Sequence, residues 1–288
     1  MLEKRCLLSR YSPFPKGNVN GDQVSLGYIL KTLNRKSYII EGVTANPNIT
    51  VTAAGESAFY YKRAAASVIE GTTGAKVDWA AGNSKGVTRK SIDMTTCFQI
   101  ADAIPHANFS TVSADVVGDR VVLDTITVAN EWNKKYLARL VSGGTVKTYA
   151  DALTLDNVYT TIIGAKATFI TDHKTDYMRP ESLFVAPDVM ALLKAKNLVL
   201  FKDNLPGKSE KLEGYFDEMA VIEAPDLAAG QFIIMNCLGA GSPLNVNNFY
   251  VTDGTAAGYI GGTLITSELS YGLEICDPTL IYVYSKQA

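Results

Sequence analysis

Along residues 113–141 the apolar side chains Val117, Val121, Val122, Ile126, Ala129, Trp132, Tyr136, Leu137 and Leu140 recur at three- and four-residue steps. That spacing puts them on one stripe of an amphipathic helix. Ser113 suits the N-cap, Asp115 the positive end of the helix dipole, Lys134, Lys135 and Arg139 the negative end, and Gly143 a left-handed stop. About 28 residues at ~1.5 Å each make a rod of roughly 40 Å, long for a globular domain. The β-branched run from Val116 to Val128 offers a strand as the competing reading. It lacks alternation and is too long for one strand.

Before the rod, residues 1–36 carry Pro13, Pro15, Gly17, Gly21 and Gly27 among alternating polar positions, and predict an extended arm. Residues 37–53 alternate enough to predict short strands around an Asn46-Pro47 turn. Residues 55–90 are rich in Gly, Ala, Ser and Thr and hold too few large apolar groups for a core. The pieces AFYYKRAAASVIEG and AKVDWAAG predict the two arms of a long β-hairpin projecting from the body. Residues 91–101 then predict a strand.

After the rod, a second amphipathic helix capped by Thr154 is expected to bury Leu155, Val158, Tyr159, Ile162, Ile163, Phe169 and Ile170 and to end near Asp172. SLFVA predicts a buried strand, and Pro187 opens a helix through Ala195. From residue 201 onward the pattern is β-rich: YFDEMAVIEA, QFIIMNCL, FYVTDG, the segment around Leu264, and PTLIYVYSK. Pro225-Asp226, Gly239, Asp253-Gly254 and Asp277-Pro278 separate these strands as turns. No internal repeat is present.

Composition narrows the function classes. With 47% hydrophobic and 19% charged residues in 288, the chain can bury a full core and has a low-charge surface that favours subunit contacts. The net charge of −2 does not advertise nucleic-acid or membrane binding. Residues 1–36, however, carry seven basic side chains against two acidic ones, a local +5 that leaves −7 for the rest. Solvated charge on a loose terminus and contact with nucleic acid or an acidic neighbour both account for that balance. No apolar run is long enough for a membrane span and no signal peptide is recognisable, so a soluble protein of a reducing compartment is expected.

Candidate chemistry is sparse. Cys6, Cys97, Cys237 and Cys276 are scattered without a CxxC pair, and only His106 and His173 could assist them, which argues against zinc and redox motifs. GxSxG, GxxxxGK, HExxH and a GxGxxG after a strand are all absent. The glycines of 258–262 read as a tight strand turn, His173 as charge compensation at a helix end, and Asp217-Glu218 as surface charge.

The order of parts, with RPESLFVAPDVMALLK at 179–194 and GLEICDPTLIYVY at 272–284, resembles the major capsid proteins of tailed bacteriophages. Their HK97-like (Johnson) fold is shared by encapsulin nanocompartments and herpesvirus capsid floors. The resemblance implies an α+β chain with an N-terminal arm (1–36), peripheral-domain strands (37–54) and an extended β-hairpin loop (55–90). It further implies a peripheral domain (91–148) with spine helix 113–141, an axial domain (149–248), and a return to the peripheral β-sheet (249–288).

On this resemblance the chain is not an enzyme and needs no cofactor or metal. It builds hexamers and pentamers of an icosahedral shell around double-stranded DNA, in a virion assembled in a bacterial cytoplasm. Separate scaffolding, portal or decoration proteins are implied, since no heptad scaffold begins the chain. Phe59, Tyr60, Tyr61 and Trp79 are the expected anchors on a neighbouring subunit, with packing inside the monomer as the alternative. Lys4, Arg5, Arg10 and Lys16 are the expected contacts to DNA or a neighbour. Lys62, Lys76, Lys85 and Lys90 lie where some family members form covalent links, and none is expected here. An encapsulin shell is the same-fold alternative, disfavoured by the Pro- and Gly-broken arm where encapsulins generally carry a helix. A small-molecule α+β enzyme is the alternative of another class.

Overall fold

Ile29, Leu30 and Leu33 fall at helical spacing and are buried, so the last part of the expected arm is a helix, α1 (Leu26–Lys36). The Pro and Gly residues that predicted an extended arm all precede it or sit in its first turn. The computed structural model describes residues 26–52, 55–62, 88–105, 116–174, 178–201, 209–253 and 262–287. Residues 37–49 are turns, not strands: Gly42 has φ 76°, and the Thr44 hydroxyl is bonded to Tyr38 O and Ile40 N, each at 2.7 Å. Side-chain bonding of this kind offers the backbone an alternative to a ladder. Only β1 (Thr50–Val51) is strand there; it pairs with β2 (Ser57–Lys62), which pairs antiparallel with β3 (Thr88–Asp93). The expected strand over 91–101 is divided between β3 and β4 (Thr96–Pro105).

The long helix forms as expected, as α2 (Val116–Gly143). Its proposed cap Ser113 lies outside the described residues. Its buried face is Val121, Thr125, Val128, Ala129, Trp132, Asn133, Tyr136, Leu137 and Leu140; Val122 and Ile126 are half-buried. Gly143 is helical rather than a left-handed stop. Side chains at Gly143 and Gly144 would meet Ile275 at 2.5 Å and Ile281 at 2.8 Å, so close approach explains these glycines.

The chain continues through β5 (Thr145–Tyr149), α3 (Val158–Asp172), β6 (Ser182–Val185), α4 (Pro187–Ala195) and β7 (Leu200–Phe201). Then come β8 (Leu212–Phe216), β9 (Met219–Glu223), β10 (Phe232–Met235) and β11 (Ala240–Gly241), followed by β12 (Leu244–Asp253), β13 (Gly262–Tyr271), β14 (Glu274–Ile275) and β15 (Ile281–Lys286). Both SLFV and the Pro187 helix form as expected. In α3, Val158, Ile162, Ala165 and Phe169 are buried while Tyr159 and Ile170 are exposed, as is Leu155 before the helix; Asn157, not Thr154, occupies the N-cap.

Seven strands form one sheet in the order β5-β15-β10-β6-β9-β8-β7. All four residues of β6 and of β10 are buried, which requires cover on both faces. Helices α2, α3 and α4 contribute to that core. A second sheet, β12-β13-β4, has ten-residue strands and packs against α1 and the first half of α2. Residues 249–288, expected to return to one sheet, divide: β13 belongs to the second sheet, whereas β15 lies inside the seven-stranded one. β15 is held there by a parallel ladder to β5 and an antiparallel one to β10.

One helix therefore serves two cores. Val121, Val128 and Ala129 fill the core of the β12-β13-β4 sheet, and Tyr136, Leu137 and Leu140 that of the seven-stranded sheet. Between them the helix presents polar atoms. Asn133 accepts from Tyr38 N at 2.7 Å and donates to Lys36 O at 2.8 Å, Trp132 Nε1 donates to Ser242 Oγ at 2.9 Å, and the Tyr136 hydroxyl donates to Thr44 O. Asn133 →Ala would leave two backbone groups unpaired beside a buried site, and unpaired buried groups cost about 1–3 kcal/mol each. The expected loss is about 2–6 kcal/mol, measured by urea unfolding of the purified protein; a change below about 1 kcal/mol would show that water replaces the amide.

Candidate assembly surfaces

Alternation along β2 gives the hairpin root two different faces. Ala58 and Tyr60 point inward, joining Ile49, Ile92, Met94 and Cys276 in a small core. Phe59 and Tyr61 point outward, ring to ring at 5.8 Å, and Tyr61 is 54% exposed. Arg89, the cross-strand partner of Tyr61, lies 4.2 Å above the Phe59 ring as a cation–π contact. The four aromatics expected to act together are thus divided. Tyr60, at 6% exposure, packs inside the monomer, and burial and its contact with Cys276 push its hydroxyl up to about 12. Trp79 lies outside the described residues.

Arg89 had no signal of its own in the sequence. AFYYK at 58–62 of the first expected arm lies in the ladder described, which pairs 57–62 with 88–93, while the rest of that arm and AKVDWAAG at 75–82 lie outside the described residues. The segment 88–93 contains a single large apolar residue, Ile92, and its first half, 88–90, does not read as a strand without its partner.

The basic residues fare differently by position. Lys4, Arg5, Arg10 and Lys16 lie outside the described residues. Arg35 pairs with Glu210 at 2.5 Å and Lys36 binds the other oxygen, holding that carboxyl below its usual range through the Lys36 hydrogen bond first. Two of the seven basic side chains of 1–36 are therefore matched within the subunit.

Among the described residues, His173, Cys237, Cys276 and the Asp217-Glu218 pair are tied into the fold. The His173 ring nitrogen meets Thr279 O at 2.8 Å and its ring rests on Phe169 at 4.7 Å. Cys237 and Cys276 are buried, and desolvation pushes their thiols up to about 12 and about 11, away from the reactive thiolate. Asp217 and Glu218 form the β8–β9 turn with φ of 44° and 70°, where Lys166 binds Asp217 O and Oδ2 at 2.6 and 2.7 Å. His106 lies outside the described residues. Among the described residues no group of three or more His, Cys, Asp or Glu could hold a metal, and no helix is long and apolar enough to cross a membrane.

One electrostatic feature on α2 is unbalanced. Arg120 forms a two-pronged pair with Asp102 of β4, while one turn on, Asp124 has a buried oxygen without a partner among the described residues. Burial first, and the like charge of Asp102 second, push the Asp124 carboxyl above its usual value.

No family model and no curated protein sequence matches the chain. Solved structures do. The capsid of the cyanophage P-SCSP1u is similar over 96% of this chain and 93% of that one, with TM-score 0.60 and 13% identity. The mature capsid of bacteriophage PhiM1 is similar over 96% and 92%, with TM-score 0.55 and 13% identity. This chain has the HK97-like capsid fold. A virus-like particle from Pyrococcus furiosus is similar over 90% and 96%, with TM-score 0.54 and 12% identity.

Two substitutions in β2 separate its faces. Tyr60→Ala is expected to cost about 3 kcal/mol by cavity formation, and Tyr61→Ala about 0.5 kcal/mol or less, measured on unassembled subunits by denaturant unfolding. Equal losses would contradict the division. Asp124 has a raised folded pKa, so it detracts from stability above that value and stops doing so as pH falls below the unfolded carboxylate value. Asp124→Asn is expected to raise the thermal midpoint at about pH 7 and to lose that advantage near about pH 4, which calorimetry at the two pH values checks.

Proposed function

We propose that this chain is the major capsid protein of a tailed phage, assembling as hexamers and pentamers into an icosahedral shell that encloses a double-stranded DNA genome. The observation that supports this most is whole-chain likeness: 96% of the chain aligns with 93% of a cyanophage capsid chain, so neither partner is left with a large unmatched domain. The internal build agrees. A long helix joined to two cores gives a stiff body, and among the described residues His173, Cys237 and Cys276 are engaged in structural contacts. In this reading the protein is structural rather than enzymatic, and its working location is the virion, with assembly in the host cytoplasm.

The parts take their roles from that reading. Residues 91–148 serve as the peripheral domain, 149–248 as most of the axial domain, and 55–90 as the extended loop that overlaps the next subunit. Phe59 and Tyr61, with Arg89 over the Phe59 ring, are the anchor on that subunit, together with Trp79. Lys4, Arg5, Arg10 and Lys16 supply positive charge for packaged DNA or an acidic neighbour. Scaffolding, portal and decoration functions fall to other proteins. An encapsulin-type shell is the second reading, favoured by α1, which places a helix where the sequence pattern predicted an arm.

Electron microscopy of the purified protein is the deciding experiment. Closed particles of uniform diameter are expected, with nuclease-protected DNA when they are isolated from infected or induced cells. A protein that stays monomeric under all assembly conditions would overturn the proposal, and particles filled with a cargo enzyme instead of DNA would favour the encapsulin reading.

A further inference from the structure

We infer that the Lys62–Asp277 ion pair is a positioning element that fixes the direction in which β2 leaves the body, an inference that rests on the shell-forming role proposed above. The sequence alternation of β2 places Ala58, Tyr60 and Lys62 on one face. Their anchorage is graded along the strand: Ala58 is fully buried, Tyr60 is 6% exposed with its hydroxyl on Cys276, and Lys62 Nζ reaches Asp277 Oδ2 at 3.0 Å. Two consecutive residues of one segment, Cys276 and Asp277, thus receive two successive inward side chains of β2. Lys62 is the last residue of the strand, paired with Thr88 at the end of the β2–β3 ladder.

Asp277 is well suited to hold it. Its Oδ1 accepts from Thr279 N at 3.1 Å and from Thr279 Oγ1 at 2.7 Å, which leaves Oδ2 for Lys62. Its own N–H donates to Gly239 O at 3.0 Å. The residues that follow, Pro278–Leu280, lead directly into β15 of the seven-stranded sheet. Beneath the strand the floor is tight: a side chain at Gly241 would meet Ile49 at 2.2 Å, and one at Gly272 would meet Ile92 at 2.6 Å. The inward side chains Tyr60 and Lys62 are therefore referenced to the 276–277 segment that leads into the seven-stranded core, and the ion pair is the outermost contact of that reference.

An exposed ion pair adds little to stability, because water competes with it. Lys62 is 49% and Asp277 25% exposed at the side chain. Its effect belongs to orientation, since many copies must present the loop at one angle for a shell to close with one curvature.

The test uses Lys62→Met, which keeps the stem and removes the charge, with Lys62→Arg as the conservative control. Hydrogen exchange of residues 57–62 in the soluble subunit is expected to quicken about threefold to fivefold in Lys62→Met. The thermal midpoint should be nearly unchanged, and assembled particles should vary in diameter or stay open. Lys62→Arg should restore both. Unchanged exchange over 57–62 overturns the inference, whether or not particles form; quickened exchange with particles of wild-type uniformity also overturns it. Failure of the wild-type chain to form particles would count against the shell reading alone, because the exchange measurement is made without assembly.

Discussion

A single helix that must satisfy two cores at once governs this subunit. Helix α2 gives Val121, Val128 and Ala129 to one core and Tyr136, Leu137 and Leu140 to the other. A helix of 28 residues with its backbone bonds intact is stiff over its length. The two sheets therefore cannot reorient freely without giving up packing at one end. Where the cores meet, Asn133, Trp132 and Tyr136 use polar atoms to hold 36–44 and Ser242 against the same helix. Apolar packing sets how strongly each sheet is held, and these directed bonds set where the connecting chain runs.

The hairpin root follows from that constraint. β2 and β3 share a small core with Ile49, Met94 and Cys276, the last in the segment between β13 and β15 that leads into the seven-stranded sheet. Their inward face is spent on this attachment. Their outward face keeps Phe59, Tyr61 and Arg89 as a preassembled aromatic and cationic surface. Such a surface combines large apolar area with few rotatable bonds, the usual make-up of an interface anchor.

Charge is handled with the same economy. Arg35 and Lys36 meet Glu210, Lys166 meets Asp217, and Lys194 bridges Glu213 and Glu223. Each joins segments far apart in sequence, so a low-charge chain uses ions to register elements more than to cover surface. Asp124 is the exception, a carboxyl shielded beside another carboxyl on the helix both cores depend on.

The sequence by itself determined the elements whose burial is regular along the chain. The stripe of α2, the run SLFV with the Pro187 helix, and the apolar strands β10 and β15 were all readable, because a continuous core face imposes its period on neighbouring residues. It also carried the layout from which the capsid resemblance was drawn. Elements that depend on distant partners were hidden. Helix α1 was masked by the Pro and Gly residues before it, and its leucines acquire meaning only against Val121 and Val128. The pairing of 57–62 with 88–93, the inward turn of Tyr60 onto Cys276, and the entry of β15 between β5 and β10 were decided by tertiary structure. Alternation shows that a strand has two faces; which of them is buried depends on what the rest of the chain brings to it.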